Sequence, residues 1–151
     1  MASAPIAGID HVAILVRDID ASLPYYTEQL GFRLTGDERT QASGGVRLAY
    51  LDAGNVLIQL VSPTGSSGPI VDYLASHGEG LHHVCFTVDD IDQTIARFAP
   101  ESDVTVAVGG RGRRTAFLPA RPNGLITELT EAEPYRGEQA GRREGGATDA
   151  G

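Results

Sequence analysis

One stretch of the 151-residue chain reads Gly80-Leu81-His82-His83-Val84-Cys85-Phe86-Thr87-Val88-Asp89-Asp90-Ile91-Asp92. The chain has already used this pattern at residues 8–20, which read Gly-Ile-Asp-His-Val-Ala-Ile-Leu-Val-Arg-Asp-Ile-Asp. Seven of the thirteen positions are identical at a constant spacing of 72 residues, and His11 and His83 form one such pair. So many identities at one spacing indicate an internal duplication.

Each copy predicts a strand followed by a helix. The histidine stands at the start of an apolar, β-branched run, which is typical of a strand. The closing Asp-Ile-Asp, which ends at Asp20 and at Asp92, supplies side-chain oxygens that cap the N-terminus of a helix. Three further strands are predicted after each helix, so one unit consists of a strand, a helix and three strands.

This repeat predicts a single domain over residues 1–133. The first module covers about residues 7–63, a linker with a short helix covers residues 64–79, and the second module covers about residues 80–133. Residues 134–151 are rich in Gly, Arg, Glu and Ala and have almost no apolar side chains, so we predict a disordered tail there.

The composition limits the classes of partner. A net charge of −8 argues against nucleic acid and against an anionic membrane surface. No apolar run approaches the ~20 residues that a membrane span needs, and the N-terminus does not resemble a signal peptide. The single cysteine, Cys85, excludes an internal disulfide and fits a reducing compartment. We therefore expect a cytoplasmic protein, in which Cys85 is either a buried thiol or a further metal ligand.

The last strand of each unit carries one polar residue at a matching place. Gln59 lies nine residues after Tyr50 in Ala-Tyr-Leu, and Glu128 lies eleven residues after Phe117 in Ala-Phe-Leu. One longer turn absorbs the difference, so Gln59 and Glu128 are predicted to be equivalent positions.

Two such units around an approximate twofold axis would bring His11, His83, Gln59 and Glu128 together at the centre. Two imidazoles and a carboxylate are ordinary ligands of a first-row divalent metal, and an amide oxygen is a weaker fourth donor. Strand alternation predicts that the side chain of His82 points to the opposite face from that of His83, so that His82 is not a ligand.

A histidine on an apolar strand is also common as a hydrogen-bonded structural residue. Four buried polar side chains at matched positions would, however, each cost about 1–3 kcal/mol if left without a partner. Because one metal ion satisfies all four together, we favour a metal site.

These motifs resemble those of the vicinal oxygen chelate (glyoxalase/bleomycin-resistance/extradiol dioxygenase) superfamily, and within it the methylmalonyl-CoA epimerases. The resemblance extends from Ile9 to about Glu131. It is carried by Ile-Asp-His-Val at His11, Gln-Leu-Val-Ser-Pro at Gln59, Gly-Leu-His-His-Val with Val-Asp-Asp-Ile at His83, and Gly-Leu-Ile-Thr-Glu-Leu at Glu128.

The resemblance implies an α+β fold of paired βαβββ modules, whose curved sheet encloses a metal cleft. It implies a divalent ion (Co, Zn, Mn, Ni or Fe) held by His11, Gln59, His83 and Glu128. The implied reaction removes and returns the α-proton of an acyl-CoA thioester through a metal-stabilised enolate. A small-molecule substrate and a homodimer are expected.

The chain departs from the family pattern near the expected catalytic base. Some family members have Glu-Gln-Gly-Val before the third strand or a glutamate just beyond it, whereas residues 42–48 here read Ala-Ser-Gly-Gly-Val-Arg-Leu. The usual His-Pro-Lys before the last strand is replaced by Pro-Ala-Arg at residues 119–121. Among the nearby carboxylates, Glu38 and Glu131, we take Glu38, in a predicted loop before the third strand, as the candidate base.

A local group of arginines suggests a phosphate contact. Arginine beside a Gly-rich loop suits the phosphates of coenzyme A, although a solvated loop explains the same composition. The candidate residues are Arg111, Arg113, Arg114 and Arg121.

An epimerase or isomerase of a methylmalonyl-CoA-like thioester is therefore the first hypothesis. Another lyase, isomerase or cyclase acting on a different small carbonyl substrate is the second. A small-molecule binding or resistance protein is the non-enzymatic alternative, but such proteins lack the metal ligands that this chain keeps. An iron dioxygenase is disfavoured because Gln59 would occupy one of the open positions that this chemistry needs.

Overall fold

The computed structural model describes residues 5–137 of the chain. The elements in chain order are β1 (Ile6–Leu15), α1 (Ile19–Pro24), β2 (Arg33–Thr40), β3 (Val46–Asp52), β4 (Leu57–Pro63), α2 (Pro69–His77), β5 (Gly80–Val88), α3 (Ile91–Phe98), β6 (Ala107–Val108), β7 (Arg114–Phe117) and β8 (Thr127–Glu131).

All eight of these strands form one curved sheet in the order β2-β3-β4-β1-β5-β8-β7-β6. Each half has a parallel pair, β1 with β4 and β5 with β8, and antiparallel outer strands. The two halves meet where β1 pairs antiparallel with β5. From its outer edge to the centre, each half therefore has its second, third, fourth and first strand in that order. The predicted fold of paired βαβββ modules is confirmed.

The strand registers also confirm the predicted equivalence of the last strands. Ala13 is paired with Gln59, and Cys85, which lies 72 residues after Ala13, is paired with Glu128. Across the neighbouring hairpin, Tyr50 is paired with Gln59 just as Phe117 is paired with Glu128. The two halves thus place one polar residue each at corresponding points beside the central strands.

The repeated aspartates cap corresponding helices. A side-chain oxygen of Asp18 accepts a hydrogen bond from the backbone N–H of Ala21 at 3.1 Å, and Asp90 does the same for Gln93 at 3.0 Å. Pro24 lies at the last position of α1, and the chain continues as a π-helical segment from Tyr25 to Gln29. The proline ring has no N–H to donate to the preceding turn, which explains the change of helix type there.

The helices cover both faces of the sheet. Ile19 of α1 packs with Leu51 and Leu60 on one face. Ile70 and Leu74 of α2 pack on the opposite face, which carries the β3 side chains of Val46, Leu48 and Tyr50. Ile91 of α3 packs with Val88 and Leu129 in the second half. Strand alternation therefore leaves one concave face whose centre is free for polar side chains.

The second strand is longer than the sequence suggests. The sequence predicted a loop at Glu38, but β2 runs from Arg33 to Thr40, paired with β3 along its length. The polar residues 36–40 carry little strand preference of their own, and pairing with the strongly apolar β3 outweighs it. Glu38 consequently lies within a strand, and its predicted position in a loop is wrong.

The predicted tail falls mostly outside the described residues, which end at Gly137. Tyr135, one of its first residues, makes two contacts: its backbone N–H donates to the carbonyl oxygen of Gly112 at 2.7 Å, and Arg114 lies over its ring. The division into a domain over residues 1–133 and a tail stays a prediction. Within residues 5–137, no helix is long and apolar enough to cross a membrane.

Candidate metal centre

The two repeated histidines and Glu128 converge on one point of the concave face. The Nε2 atoms of His11 and His83 each lie 3.3 Å from the Oε1 atom of Glu128. The potential ligand atoms of the three residues all lie within 4.8 Å of one another, and all three side chains are largely withdrawn from solvent. This spacing brings two imidazoles and one carboxylate around a volume of atomic size.

The central strands explain this convergence. His11 lies on β1 and His83 on β5, which are neighbours at the junction of the two halves. Gln59 on β4 and Glu128 on β8 flank this pair from the two sides. The four predicted ligands are therefore contributed by four adjacent strands, and side chains with the same orientation on these strands point into one cleft.

Gln59 is oriented by Tyr50. The amide nitrogen of the buried Gln59 donates to the Tyr50 hydroxyl at 3.1 Å. Because the nitrogen is used in this bond, the carbonyl oxygen is the atom that Gln59 can offer to a cation. The burial of Tyr50 raises its pKa to about 12, so that its hydroxyl stays protonated at neutral pH.

The geometry fits a divalent cation. The Nε2 atoms of His11 and His83 are buried and have no hydrogen-bond partner among the described residues. Burial alone would raise the pKa of Glu128, but the two imidazoles beside its carboxylate lower it well below its usual range. Burial would lower the pKa of His11, yet Asp10 and Glu128 raise it. The same carboxylates would favour a bound metal ion, whose preferred ligands match the residues present.

The residue before each of these histidines contacts the imidazole of that histidine, because each of the two central strands has a β-bulge there. The register shifts by one residue between Ile9 and His11 on β1, and between Leu81 and His83 on β5. The Nδ1 atom of His82 consequently lies 2.7 Å from the Nδ1 atom of His83. The prediction that His82 points to the opposite face is wrong, because regular alternation does not hold across a bulge. His82 is still absent from the cluster of potential ligands.

Asp10 has the corresponding place in the first half. One oxygen of Asp10 lies 2.7 Å from the Nδ1 atom of His11. The carboxylate also binds Arg111, and it lies 3.3 Å from Nη1 of Arg113. Although burial opposes it, the hydrogen bonds with His11 and Arg111 lower the pKa of Asp10 to about 2. Asp10 is thus an anion shared between a cleft histidine and a loop of the second half.

A cavity of about 430 Å³ opens above the four residues. Its wall on the side of the first half is largely apolar and contains Val46, Leu48 and Val61, together with Ile70 of the linker helix α2. Its second-half wall includes Asp103, which is exposed at the edge, and the backbone of Gly109 and Gly110. This volume lies within the range of small-molecule binding pockets.

Glu38 lies next to this cavity, separated from it by Tyr50. The carboxylate of Glu38 accepts the backbone N–H of Arg111 at 2.6 Å and lies 3.3 Å from the Tyr50 hydroxyl. Tyr50 lines the main cavity and also the smaller pocket that contains Glu38. The hydroxyl therefore connects the carboxylate to the main cavity.

Three of the four candidate arginines have carboxylate partners. Arg111 and Arg113 bind Asp10, and Arg114 binds Glu131 and Asp92. Arg121 is exposed, and no ion pair of Arg121 is found within residues 5–137. The proposed contact of this group with a phosphate stays a prediction.

Cys85, two residues after His83 on β5, is fully buried. Its sulfur is close enough to Asp10 and His11 to form a second group of potential ligands. Burial raises the pKa of the thiol, which opposes formation of the thiolate that binds metals.

The sequence analysis missed Tyr50 and Asp10 as residues of the site, and Asp103 as part of the cavity wall. The duplication offered a signal for Asp10, because Asp10 and His82 are both polar and both precede a repeated histidine by one position. The alignment of Tyr50 with Phe117 offered no such signal, since aromatic residues on strands are ordinary core residues.

Comparisons with known proteins agree with this architecture. The sequence model of the Glyoxalase/Bleomycin resistance protein/Dioxygenase superfamily matches residues 8–129. The chain belongs to this superfamily. The resemblance to methylmalonyl-CoA epimerases is also confirmed: mitochondrial methylmalonyl-CoA epimerase of Dictyostelium discoideum is 30% identical over 132 residues, which cover 83% of this chain and 79% of that protein.

Solved structures support the same relationship. The crystal structure of methylmalonyl-CoA epimerase from Mycobacterium tuberculosis matches with a TM-score of 0.78 at 29% identity, covering 89% of this chain and 93% of that one. A variant of Streptomyces coelicolor methylmalonyl-CoA epimerase in complex with 2-nitronate-propionyl-CoA matches with a TM-score of 0.73 at 32% identity, covering 83% and 97%.

Proposed function

We propose that this protein is a metal-dependent epimerase of an acyl-CoA that resembles methylmalonyl-CoA. The observation that carries the proposal is the pair of unpartnered Nε2 atoms, each 3.3 Å from Glu128, at the floor of a 430 Å³ cavity. The relationship to acyl-CoA epimerases supports this choice of substrate class.

The metal site consists of His11, His83, Glu128 and Gln59 in this proposal. Any of Co, Zn, Mn, Ni or Fe suits two imidazoles with oxygen donors. When bound, a divalent cation acts as a Lewis acid that makes a proton beside a carbonyl more acidic. The residues around it have to place the thioester and to accept the proton.

Glu38 is proposed to be the base, acting through Tyr50. The Tyr50 hydroxyl takes the α-proton of the substrate while its own proton passes to the Glu38 carboxylate, and the reverse transfer restores the carbon–hydrogen bond. The hydrogen bond between these two residues supports this route, as does their position beside the cavity.

Epimerisation also requires that a proton reach the opposite face of the α-carbon. Apart from Glu128, Asp103 is the carboxylate residue that lines the cavity among the described residues. It belongs to the second half, whereas Tyr50 belongs to the first half. We assign the second proton transfer to Asp103.

Arg121 is the first candidate for a phosphate of coenzyme A, because Arg111, Arg113 and Arg114 are already paired with carboxylates. The homodimer and the cytoplasmic location stay predictions. Sedimentation equilibrium of the purified protein would test the dimer.

The test is exchange of the substrate's α-proton in deuterated water, followed by mass spectrometry for a panel of acyl-CoAs that includes methylmalonyl-CoA. With the wild-type enzyme, the substrate should take up deuterium at the α-carbon before any net conversion to product. Glu38→Gln and Tyr50→Phe should each slow exchange of one epimer, and Asp103→Asn should slow exchange of the other. Glu101→Gln is the matched control, because Glu101 is exposed and lies outside the cavity wall.

Two outcomes would contradict parts of the proposal. Exchange at the wild-type rate in Glu38→Gln would exclude Glu38 as the base. Failure of the wild type to exchange any acyl-CoA would exclude the epimerase, and a different carbonyl substrate for a lyase, isomerase or cyclase would then have to be sought.

A further inference from the structure

The two ligand histidines each have a neighbour held in place by the same irregularity. Ile9 is paired with Phe86 and His11 with Cys85, so β1 advances by two residues where β5 advances by one. Likewise, His83 is paired with Ala13 and Leu81 with Ile14, so β5 advances by two residues where β1 advances by one. The extra residues are Asp10 and His82, which the 72-residue spacing makes equivalent. The duplication has therefore preserved the bulge as well as the histidine.

A bulge changes which way the extra side chain points. In a regular strand, Asp10 and His82 would face away from the histidines that follow them. In the bulged strands, an oxygen of Asp10 lies 2.7 Å from Nδ1 of His11, and Nδ1 of His82 lies 2.7 Å from Nδ1 of His83. Each contact engages the Nδ1 atom and leaves Nε2 directed at Glu128.

This arrangement meets a requirement of ligation by imidazole. A neutral histidine that binds a cation through Nε2 carries its proton on Nδ1, and an acceptor at Nδ1 fixes both this tautomer and the orientation of the ring. The Asp10 carboxylate is such an acceptor for His11. The unprotonated Nδ1 of His82 is such an acceptor for His83, provided that the His82 proton resides on Nε2.

The two acceptors differ in charge and in support. Asp10 is anionic and is held by Arg111 and Arg113, which come from the second half of the chain. His82 is held by aromatic packing, with its ring edge-to-face against Tyr73 at a centroid separation of 4.6 Å. The Nδ1–H group of His11 is therefore the more strongly polarised, and Nε2 of His11 should bind a cation more strongly than Nε2 of His83.

We propose that Asp10 and His82 are positioning residues that select the metal-binding tautomer of His11 and His83, with Asp10 making the larger contribution. This inference rests on the proposed metal site. It assigns no contact with substrate to either residue.

The experiment measures Co(II) affinity by competition with a chromogenic chelator, together with the visible absorption spectrum of bound Co(II). Asp10→Ala should weaken Co(II) binding by about 10- to 100-fold, which is the usual effect of losing a hydrogen-bond partner of a ligand. It should also change the spectrum. Asp10→Asn should restore most of the affinity, because its amide oxygen accepts the same hydrogen bond. His82→Phe should weaken binding by a smaller factor than Asp10→Ala.

Glu131→Gln is the matched control for loss of an arginine–carboxylate pair, since Glu131 binds Arg114 and has no contact with a ligand histidine. Its Co(II) affinity and spectrum should equal those of the wild type. Circular dichroism of every variant checks that it is folded. Nitrogen NMR of the ¹⁵N-histidine-labelled Zn(II) form gives an independent reading, because it reports directly which ring nitrogen of His11 carries the proton.

The outcomes separate this inference from the metal site itself. If the wild type binds no Co(II), the proposed site falls and the positioning roles fall with it. If the wild type binds Co(II) and Asp10→Ala matches it in affinity and spectrum, the positioning role of Asp10 is wrong while the metal site stands. If Asp10→Asn is as weak as Asp10→Ala, the charge of Asp10 matters rather than its hydrogen bond, and tautomer selection is wrong.

Discussion

Gln59 and Glu128 occupy equivalent places, yet they offer a cation different oxygens. The carboxylate of Glu128 is charged and lies 3.3 Å from both imidazole Nε2 atoms, whereas Gln59 contributes a neutral amide whose nitrogen is held by Tyr50. A charged oxygen binds a divalent ion more strongly than a neutral one. We therefore expect the four proposed ligands to contribute unequally.

Substitution of each ligand tests this expectation. Glu128→Ala or His11→Ala should abolish tight metal binding, because each removes a strong donor. Gln59→Ala should weaken affinity by roughly tenfold, equivalent to about 1.4 kcal/mol. Metal content after dialysis, measured by atomic emission, distinguishes these results. Full occupancy in the double variant His11→Ala/His83→Ala would show that the ion binds elsewhere.

Gly110 makes a second residue-level prediction possible. A methyl group at this position would overlap the Tyr50 hydroxyl and lie 2.9 Å from Cδ1 of Leu48. Gly110→Ala should therefore push the loop away from Tyr50 and destabilise the protein by about 1–3 kcal/mol.

Gly65 provides the control for this substitution, because a methyl group there would make only ordinary contacts, at 3.7 Å or more. Thermal unfolding should show a lower melting temperature for Gly110→Ala than for Gly65→Ala. Equal melting temperatures would mean that the loop does not pack closely on Tyr50 in solution.

At the level of elements, Glu131 links three parts of the second half. This residue of β8 accepts hydrogen bonds from Arg114 of β7 at 2.7 and 2.9 Å and from the backbone N–H of Ile91, the first residue of α3, at 3.1 Å. The hydrogen bonds with Arg114 and Ile91 lower the pKa of Glu131. The carboxylate therefore joins a helix N-terminus to the sheet.

Glu131→Gln should lower the free energy of unfolding at pH 7 by about 1–2 kcal/mol. Because the folded-state pKa is lower than the unfolded value of about 4.3, this contribution is complete above pH 4.3 and is lost as the pH falls through the folded-state pKa. Urea unfolding from pH 3 to pH 8 should show the two proteins converging in acid.

Glu133→Gln is the control for this pH series, because Glu133 is exposed on the same segment. Its stability should follow that of the wild type at every pH. A difference between Glu131→Gln and the wild type that did not change with pH would contradict the role assigned to the charge of Glu131.

The elements also show which features sequence reasoning reaches. The strands with His11 and His83 were predictable, because an apolar β-branched run and a repeated cap mark both ends of the strand–helix unit. The bulges were not, since an extra residue changes the register without changing the composition of the strand. For this reason the side of the sheet that His82 faces was predicted wrongly, and Asp10 was overlooked.

The extent of β2 illustrates the second limit. Residues 36–40 are polar or glycine and become a strand only because β3 is available to pair with them. Such pairing depends on the complete sheet and leaves no local pattern in the sequence. The position of Glu38 relative to Tyr50 could not be derived without it.

At the scale of the whole molecule, the duplication predicted the paired modules and the convergence of four residues from four strands. The duplication did not predict the side-chain contacts between the two halves. Arg111 and Arg113 reach Asp10 across the molecule, at a sequence separation of about 100 residues. No periodicity or spacing in the sequence encodes this pairing.

Truncation tests the boundary of the domain. A chain that ends at Tyr135 should keep the wild-type melting temperature and activity, because residues 136–151 have few apolar side chains to bury. A chain that ends at Glu133 should melt at a lower temperature, since it loses the hydrogen bond from Tyr135 to Gly112 and the contact of Arg114 with the Tyr135 ring. A large loss of stability in the longer chain would show that the tail contributes to the fold.

The matching strand order of the two halves has a consequence for how the residues of such a site can be substituted. Two identical half-chains assembled around an exact twofold axis would supply every residue in duplicate, so that any donor would occur twice or not at all. Joining both halves in one polypeptide removes this restriction. Here one copy has Gln59 and Asp10 where the other has Glu128 and His82. A single carboxylate beside two imidazoles would leave a bound divalent ion with a net positive charge, which a symmetric assembly with paired glutamates would neutralise.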